Sequence, residues 1–141
     1  MATINATISV NSDIMSYPIN INTSMVMDKF QSCNGLDETS GINVKKFNAT
    51  TATKIVDNTE GTAGKASKVY IRNTGSSKAS FFYLALNASA AASDTNETIG
   101  KLYGGDWMLI PWIATAATTH DIFVAPSTTE EMTLEWIVFQ E

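Results

Sequence analysis

Cysteine occurs once in this 141-residue chain, at Cys33, so no disulfide can form within it. Histidine also occurs once, at His120. One of each cannot build the usual four-ligand zinc sets. Cys33 has no adjacent basic residue to lower its thiol pKa, so a nucleophilic role has no support. Charge is scarce as well, at 16% of residues against roughly 25% in typical soluble domains. The basic share is the smaller one: nine Lys and Arg face fourteen Asp and Glu, for a net charge of −5. Nucleic-acid binding needs a basic surface to neutralise phosphates, and a membrane surface needs a polybasic patch. Lys45-Lys46 is the only adjacent basic pair, which a solvated strand edge explains. No nucleic-acid or membrane partner is therefore expected. No apolar run is long enough to span a bilayer as a helix. The start, Met1 to Asn5, shows neither the basic nor the apolar part of a signal peptide, so synthesis in the cytoplasm is expected.

What replaces charge is Thr, Ser and Asn, interleaved with apolar residues at period two. Ile4, Ala6, Ile8 and Val10 alternate with Asn5, Thr7 and Ser9. Tyr17, Ile19, Ile21 and Thr23 repeat the pattern within Met15 to Met27, where Pro18 delays the strand or places it at an edge. Such alternation marks half-buried strands. Further strands are expected over Ile42 to Phe47, Thr53 to Val56, Val69 to Asn73, Ala79 to Leu86, Glu97 to Tyr103, Trp107 to Trp112, His120 to Ala125 and Met132 to Phe139. Short helical turns are conceivable over Met25 to Ser32 and Ala88 to Ala92, without convincing caps. Val69 to Asn73 and Ala79 to Leu86 flank a Gly-containing loop, which predicts a hairpin. Phe82, Leu84 and Leu86 share one face of the second strand, and Phe81, Tyr83 and Ala85 the other. Two apolar faces imply a central strand or a face that meets a partner.

About nine or ten short strands without a solid helix predict an all-β fold, an antiparallel jelly-roll-like β-sandwich, built as one domain over residues 1–141. Residues 1–12 could be a strand or arm exchanged with a neighbour. The densest apolar run, Trp107 to Trp112, is expected to be a buried strand. Pro111 should mark its end, a bulge or a sheet edge, because proline cannot donate to a central ladder.

The candidates for chemistry are thin. His120 and Asp121 are sequence neighbours, which a strand points to opposite faces, and no Gly-x-Ser-x-Gly motif accompanies them. Asp57-Asn58-x-Glu60 and Asp94-x-Asn96-Glu97 offer oxygen ligands without the spacing of a calcium loop. Asp106, Asp121 and Glu135 could serve as paired carboxylates only if the fold brought two of them together. Trp107, Trp112 and Trp136, with Tyr103, could form a sugar-stacking platform if exposed; an alternating apolar context favours the core. No catalytic residue, metal or cofactor is expected, and the chain is not expected to be an enzyme.

The C-terminal third runs Leu102-Tyr103-Gly104-Gly105-Asp106-Trp107-Met108-Leu109-Ile110-Pro111, followed by Asp121-Ile122-Phe123-Val124 and Leu134-Glu135-Trp136-Ile137-Val138-Phe139. This section resembles small tailed-phage virion proteins, in particular capsid decoration (cement) proteins with a jelly-roll-like sandwich. The resemblance implies a non-enzymatic structural protein located in the virion. It implies a major capsid protein or other virion protein as partner, and a homo-oligomer, most often a trimer. Candidate interface residues are Ile4, Ile8, Val10, Phe81, Phe82, Tyr83 and Trp112. The alternative is a carbohydrate- or receptor-binding module of a tail fibre or head appendage, which requires two or more exposed tryptophans along a groove.

Overall fold

The period-two alternation becomes eleven strands among the described residues. A computed structural model of the chain describes residues 4–13, 18–27, 38–60, 66–86, 98–113 and 120–140. The strands are β1 (Ile4–Ser12), β2 (Ile19–Met27), β3 (Glu38–Thr39), β4 (Asn43–Phe47), β5 (Thr53–Val56), β6 (Ala66–Asn73), β7 (Phe81–Leu86), β8 (Thr98–Tyr103), β9 (Trp107–Ile113), β10 (Ile122–Pro126) and β11 (Met132–Gln140). Only the two-residue β3 has no counterpart in the sequence reading. Met25–Met27 belongs to β2 rather than to a helix. Asp28 to Ser32, the Ala88 to Ala92 segment, Tyr17, Cys33 and the Asp94–Glu97 cluster lie outside the described residues. One 3-10 turn, Asn58–Glu60, sits between β5 and β6.

The chain divides into two compact units. β1 and β2 pair with each other, antiparallel, from Ile4 opposite Met27 to Ser12 opposite Ile19. The sandwich, which the sequence reading spread over 1–141, occupies Glu38–Gln140. Its two antiparallel sheets have the orders β5-β10-β7-β8 and β3-β11-β6-β9, with β4 also paired to β11. The pairings are nested: β4 with β11, β5 with β10, β6 with β9, β7 with β8. From β4 onward, only the β7–β8 connection stays within one sheet; every other connection crosses to the opposite sheet. That is one long antiparallel ribbon rolled up on itself, the jelly-roll arrangement.

The predicted β6–β7 hairpin does not form. β6 lies between β11 and β9, while β7 lies between β10 and β8 in the opposite sheet. The connecting loop is held instead by Thr74, whose N–H donates to the Thr133 carbonyl at 3.0 Å, and by Ser77, whose carbonyl accepts from Gly104 N–H at 2.9 Å. The Gly-containing stretch is a loop that crosses between the sheets, and the sheets decide the strand partner.

Alternation puts one side of each strand into the core. Val69 and Ile71 of β6, Leu134 and Val138 of β11, Phe82 and Leu84 of β7, and Ile122 and Val124 of β10 are all buried there. Phe47 of β4 meets Phe82 of β7 edge to face at 5.3 Å, joining the sheets. The Trp107 to Trp112 run, expected to be a buried strand, is buried only at Trp112, whose indole N–H donates to the His120 carbonyl at 2.8 Å; Trp107 is 48% exposed and Pro111 is exposed as well. Pro111 lies in β9, an edge strand, which continues through it to Ile113. An edge strand has a ladder on one side only and so tolerates the missing donor.

Asn73, at the end of β6, is 1% exposed and ties the sheets together. Its side-chain amide donates to the Leu102 carbonyl at 3.0 Å, and its side-chain oxygen accepts from Gly75 N–H at 3.0 Å. The tight β8–β9 turn stacks on the same place, with Gly105 N–H donating to the Asn73 carbonyl and Gly105 itself at φ +85°. At Gly104 an added Cβ would fall on the Ser77 backbone. Ser67, by contrast, buries a hydroxyl that has no hydrogen-bond partner among the described residues. Losing one partner of a buried hydrogen bond costs about 1–3 kcal/mol, whereas removing an unpaired hydroxyl removes a desolvation cost. Asn73→Ala should therefore lower the free energy of unfolding by about 1–3 kcal/mol. Ser67→Ala should leave it unchanged or raise it. Urea unfolding of both variants checks the opposite signs.

Candidate functional site

The outer face of the β5-β10-β7-β8 sheet is aromatic. Phe81 and Tyr83 of β7 point outward because Phe82 and Leu84 point into the core. Phe81 pairs across the ladder with Tyr103 of β8, and Tyr83 with Lys101. The Phe81 ring lies 4.9 Å from Tyr83, edge to face, and 5.0 Å from Tyr103. The Lys101 ammonium stands over both β7 rings, 4.6 Å from Phe81 and 5.4 Å from Tyr83. Ala85 and Ala125 are buried on this face, with Tyr83 and Phe123 packed against them. The rings are half-buried, so the face is a partly apolar surface capped by a single cation rather than a cleft.

The opposite sheet shows a mixed face. Tyr70 and Arg72 point outward from β6 between the buried Val69, Ile71 and Asn73. Trp107 of β9 pairs with Arg72 and is 48% exposed. Tyr70 and Trp107 lie 6.4 Å apart at 33° and border a surface depression with Arg72 and Gly105. Glu135 of β11 accepts from the Tyr70 hydroxyl at 3.3 Å and from the Arg72 guanidinium at 3.4 Å. Partial burial, and then the Glu135 carboxylate, push the Tyr70 phenol pKa up. Val44 of β4 stands opposite Glu135 and is 61% exposed.

Of the carboxylates singled out for chemistry, Asp57 and Asp121 converge on one lysine, while Asp106 and Glu135 are engaged in separate parts of the fold. Asp57 binds the Lys54 ammonium at 2.6 Å and accepts from both the backbone N–H and the hydroxyl of Thr59. Asp121 meets the same ammonium at 3.0 Å and accepts from Asn58 N–H at 2.8 Å. Asp106 accepts from Tyr103 N–H within the β8–β9 turn and faces Lys78 at 3.5 Å. A cation at Asp57-Asn58-x-Glu60 would have to displace the Lys54 ammonium. Among the described residues no three His, Cys, Asp or Glu side chains cluster as metal ligands do.

The structure sorts the predicted interface residues into three groups. Phe81 and Tyr83 lie on the aromatic outer face. Phe82 and Trp112 are core residues, 0% and 7% exposed, and leave the candidate surface: each sits at the inward position of its strand. Ile8 and Val10 are 38% and 45% exposed on β1, and Ile4 is half-buried there. Of the three tryptophans only Trp107 is exposed; Trp136 is partly buried and packs against the core. A row of tryptophans along a groove therefore does not exist. The ring beside Trp107 is Tyr70, which the sequence reading did not single out. Its signal was the alternation of Tyr70 and Arg72 with Val69 and Ile71.

Comparison with known proteins finds no matching family model and no matching curated protein. Among solved structures the chain is similar to the crystal structure of the Yersinia pseudotuberculosis-derived mitogen, with a TM-score of 0.42 and 9% identity over 74% of this chain and 86% of that one. A likeness this loose carries no conclusion about activity.

The Lys54 side-chain hydrogen bond, and then the Thr59 donors, hold the Asp57 carboxyl well below its ordinary range. Because the folded-state pKa lies below the unfolded one, this stabilisation is fully present above the ordinary carboxyl pKa of about 4. It is lost as pH falls from there toward the folded-state value. Asp57→Asn should flatten the acid limb of the stability curve below about pH 4 and leave its shape near neutral pH unchanged. Urea midpoints across that range measure the difference.

Proposed function

We propose that this chain is a non-enzymatic structural protein of an assembled particle, acting as a capsid decoration protein that bridges shell subunits. One observation carries the reading: large apolar side chains stay exposed on strand faces, among them Val10, Ile21, Val26, Val44 and Trp107. The acids that could do chemistry, meanwhile, are bound by lysines, arginine and backbone donors. Apolar strand faces left in water favour any arrangement that covers them, at about 25 cal/mol per Å2 removed from solvent. A protein that covers them only on an assembled lattice, and not on free subunits, stabilises the lattice by mass action. The low charge supports this role, since few ionic groups need desolvation at a joint. The resemblance of the Leu102 to Pro111 section and the strands after it to decoration proteins points the same way.

The Tyr70–Trp107 ring pair beside Arg72 and Glu135 favours a second reading, a carbohydrate- or receptor-binding module of an appendage. Stacking on an exposed indole, with charged groups beside it for hydroxyls, is a common way to hold a sugar.

Co-sedimentation separates the two. Under the first reading the protein pellets with assembled shells, does not bind free shell subunits, and raises the thermal transition of the shells. Under the second it leaves shells alone and is retained on a glycan surface, and Trp107→Ala abolishes that retention. Absence of any binding to assembled shells overturns the first reading.

A further inference from the structure

The outer face of the sheet that pairs β4, β11, β6 and β9 carries a mixed row of side chains across its strands. Trp107 of β9 stands opposite Arg72 of β6, Arg72 opposite Glu135 of β11, and Glu135 opposite Val44 of β4. Neighbouring strands lie about 5 Å apart, so the row sets a ring, a donor, an acceptor and an aliphatic group side by side over about 15 Å. Tyr70, two residues from Arg72 on the same strand, closes one side of the row: its ring lies 6.4 Å from that of Trp107. Gly105, in the β8–β9 turn, borders the same depression without a side chain. The depression has a volume of about 450 Å3, within the roughly 300–1,000 Å3 of small-molecule sites, and it is open to solvent at Trp107.

We propose that this row binds an uncharged pyranose, with Trp107 against an apolar face of the sugar ring, and that Glu135 excludes acidic sugars. The charges select the class. Arg72 and Glu135 meet at 3.4 Å and leave the row without net charge. A cationic ligand would find two rings and a carboxylate, but the guanidinium beside them opposes it. An anionic ligand would find the guanidinium, but would stand against Glu135 to reach it, and like charges set side by side weaken binding. The net charge of −5 on the chain adds to that opposition. A hydroxyl both donates and accepts, so neighbouring ring hydroxyls can take a donor from Arg72 and an acceptor from Glu135 together. The groups for this are present. The Tyr70 hydroxyl and the Arg72 guanidinium both donate to Oε1 of Glu135, at 3.3 and 3.4 Å, and neither bond uses Oε2. The guanidinium carries five N–H donors, only one of which makes that bond. The Arg72 and Glu135 side chains are 46% and 22% exposed, so a ligand reaches both. An apolar protein surface laid over the row would instead desolvate the ion pair and return no hydrogen bonds to it.

This deepens the appendage reading and rests on it, naming the ligand class and the residue that sets it. The test uses immobilised neutral oligosaccharides of glucose, galactose, mannose and N-acetylglucosamine beside acidic ones, hexuronates and sialylated galactosides. The full chain should be retained on at least one neutral surface about tenfold more tightly than on the acidic surfaces. Glu135→Gln keeps the shape and an acceptor oxygen and removes the charge. It should narrow that preference to about twofold, because Arg72 can then donate two N–H groups to a sugar carboxylate. Lys101→Ala, on the other sheet, should bind as the wild type does. Trp107, Trp112 and Trp136 all lie in the sandwich unit, so unchanged tryptophan emission shows that Glu135→Gln is folded. The wild-type comparison of neutral with acidic surfaces needs no variant. Retention on none of these surfaces overturns the appendage reading and this inference with it. Retention on acidic surfaces as tight as on neutral ones, or a neutral preference that Glu135→Gln leaves unchanged, overturns this inference alone.

Discussion

The sandwich depends on β11 being paired on both sides. The last strand of the chain takes up β6 on one edge, from Leu134 to Gln140. On its other edge it takes up β4 near its start and β3 near its end. Remove that pairing and β4 has no ladder, β6 loses one of its two, and the inner face carrying Leu134 and Val138 has no place in the core. Backbone groups buried between sheets must find partners. In this fold the C-terminal strand supplies many of them, and the nested order of the remaining pairs follows from it.

The same requirement explains the fate of the polar residues. Asn73 is buried because the end of β6 must meet both the Gly75 amide and the Leu102 carbonyl, and a side-chain amide carries both an acceptor oxygen and a donor NH2 group. Asp121 is nearly buried because Asn58 N–H and the Lys54 ammonium converge on it. Asp57, Asp106 and Glu135 likewise close turns or neutralise cations. Carboxylates used in this way hold loops and sheet faces in place: Asp57 and Asp121 share the Lys54 ammonium, while Asp106 and Glu135 sit in separate parts of the sandwich.

What remains for interaction is the outward half of the alternation. On one sheet it is the Phe81, Tyr83 and Tyr103 cluster with Lys101 above it; on the other it is Tyr70, Trp107 and Val44 among Arg72 and Glu135. On the β1–β2 ribbon Ile8, Val10, Ile21 and Met25 stay exposed on one side, and Val26 among Asn, Thr and Ser on the other. Surfaces of this composition act by being covered, which is why the functional reading rests on assembly.

Strand existence was legible along the chain because side chains alternate faces at period two, and the residues that alternate are present in the sequence. Pro111, whose missing donor a central strand would not accept, made a strand end, a bulge or a sheet edge legible in the Trp107 run, and the sheet order decided for the edge. The burial of Trp112 followed from its apolar context, yet its listing beside Phe81 and Tyr83 as an interface residue failed, as did that of Phe82. A strand's sequence shows that two faces differ without showing which one the core takes. Strand partners were not legible either: the Gly-containing loop after β6 looked like a hairpin, but the pairing of β6 with β9 and β11 spans many residues and is decided by which faces and edges meet. The same holds for Asn73 and for Tyr70 beside Trp107, whose roles arise from contacts across sheets and between strands. Local periodicity thus determined the all-β character of this protein, while the jelly-roll pairing and the surfaces left exposed were decided only by the tertiary structure, because backbone hydrogen bonding and burial are satisfied between segments far apart in the chain.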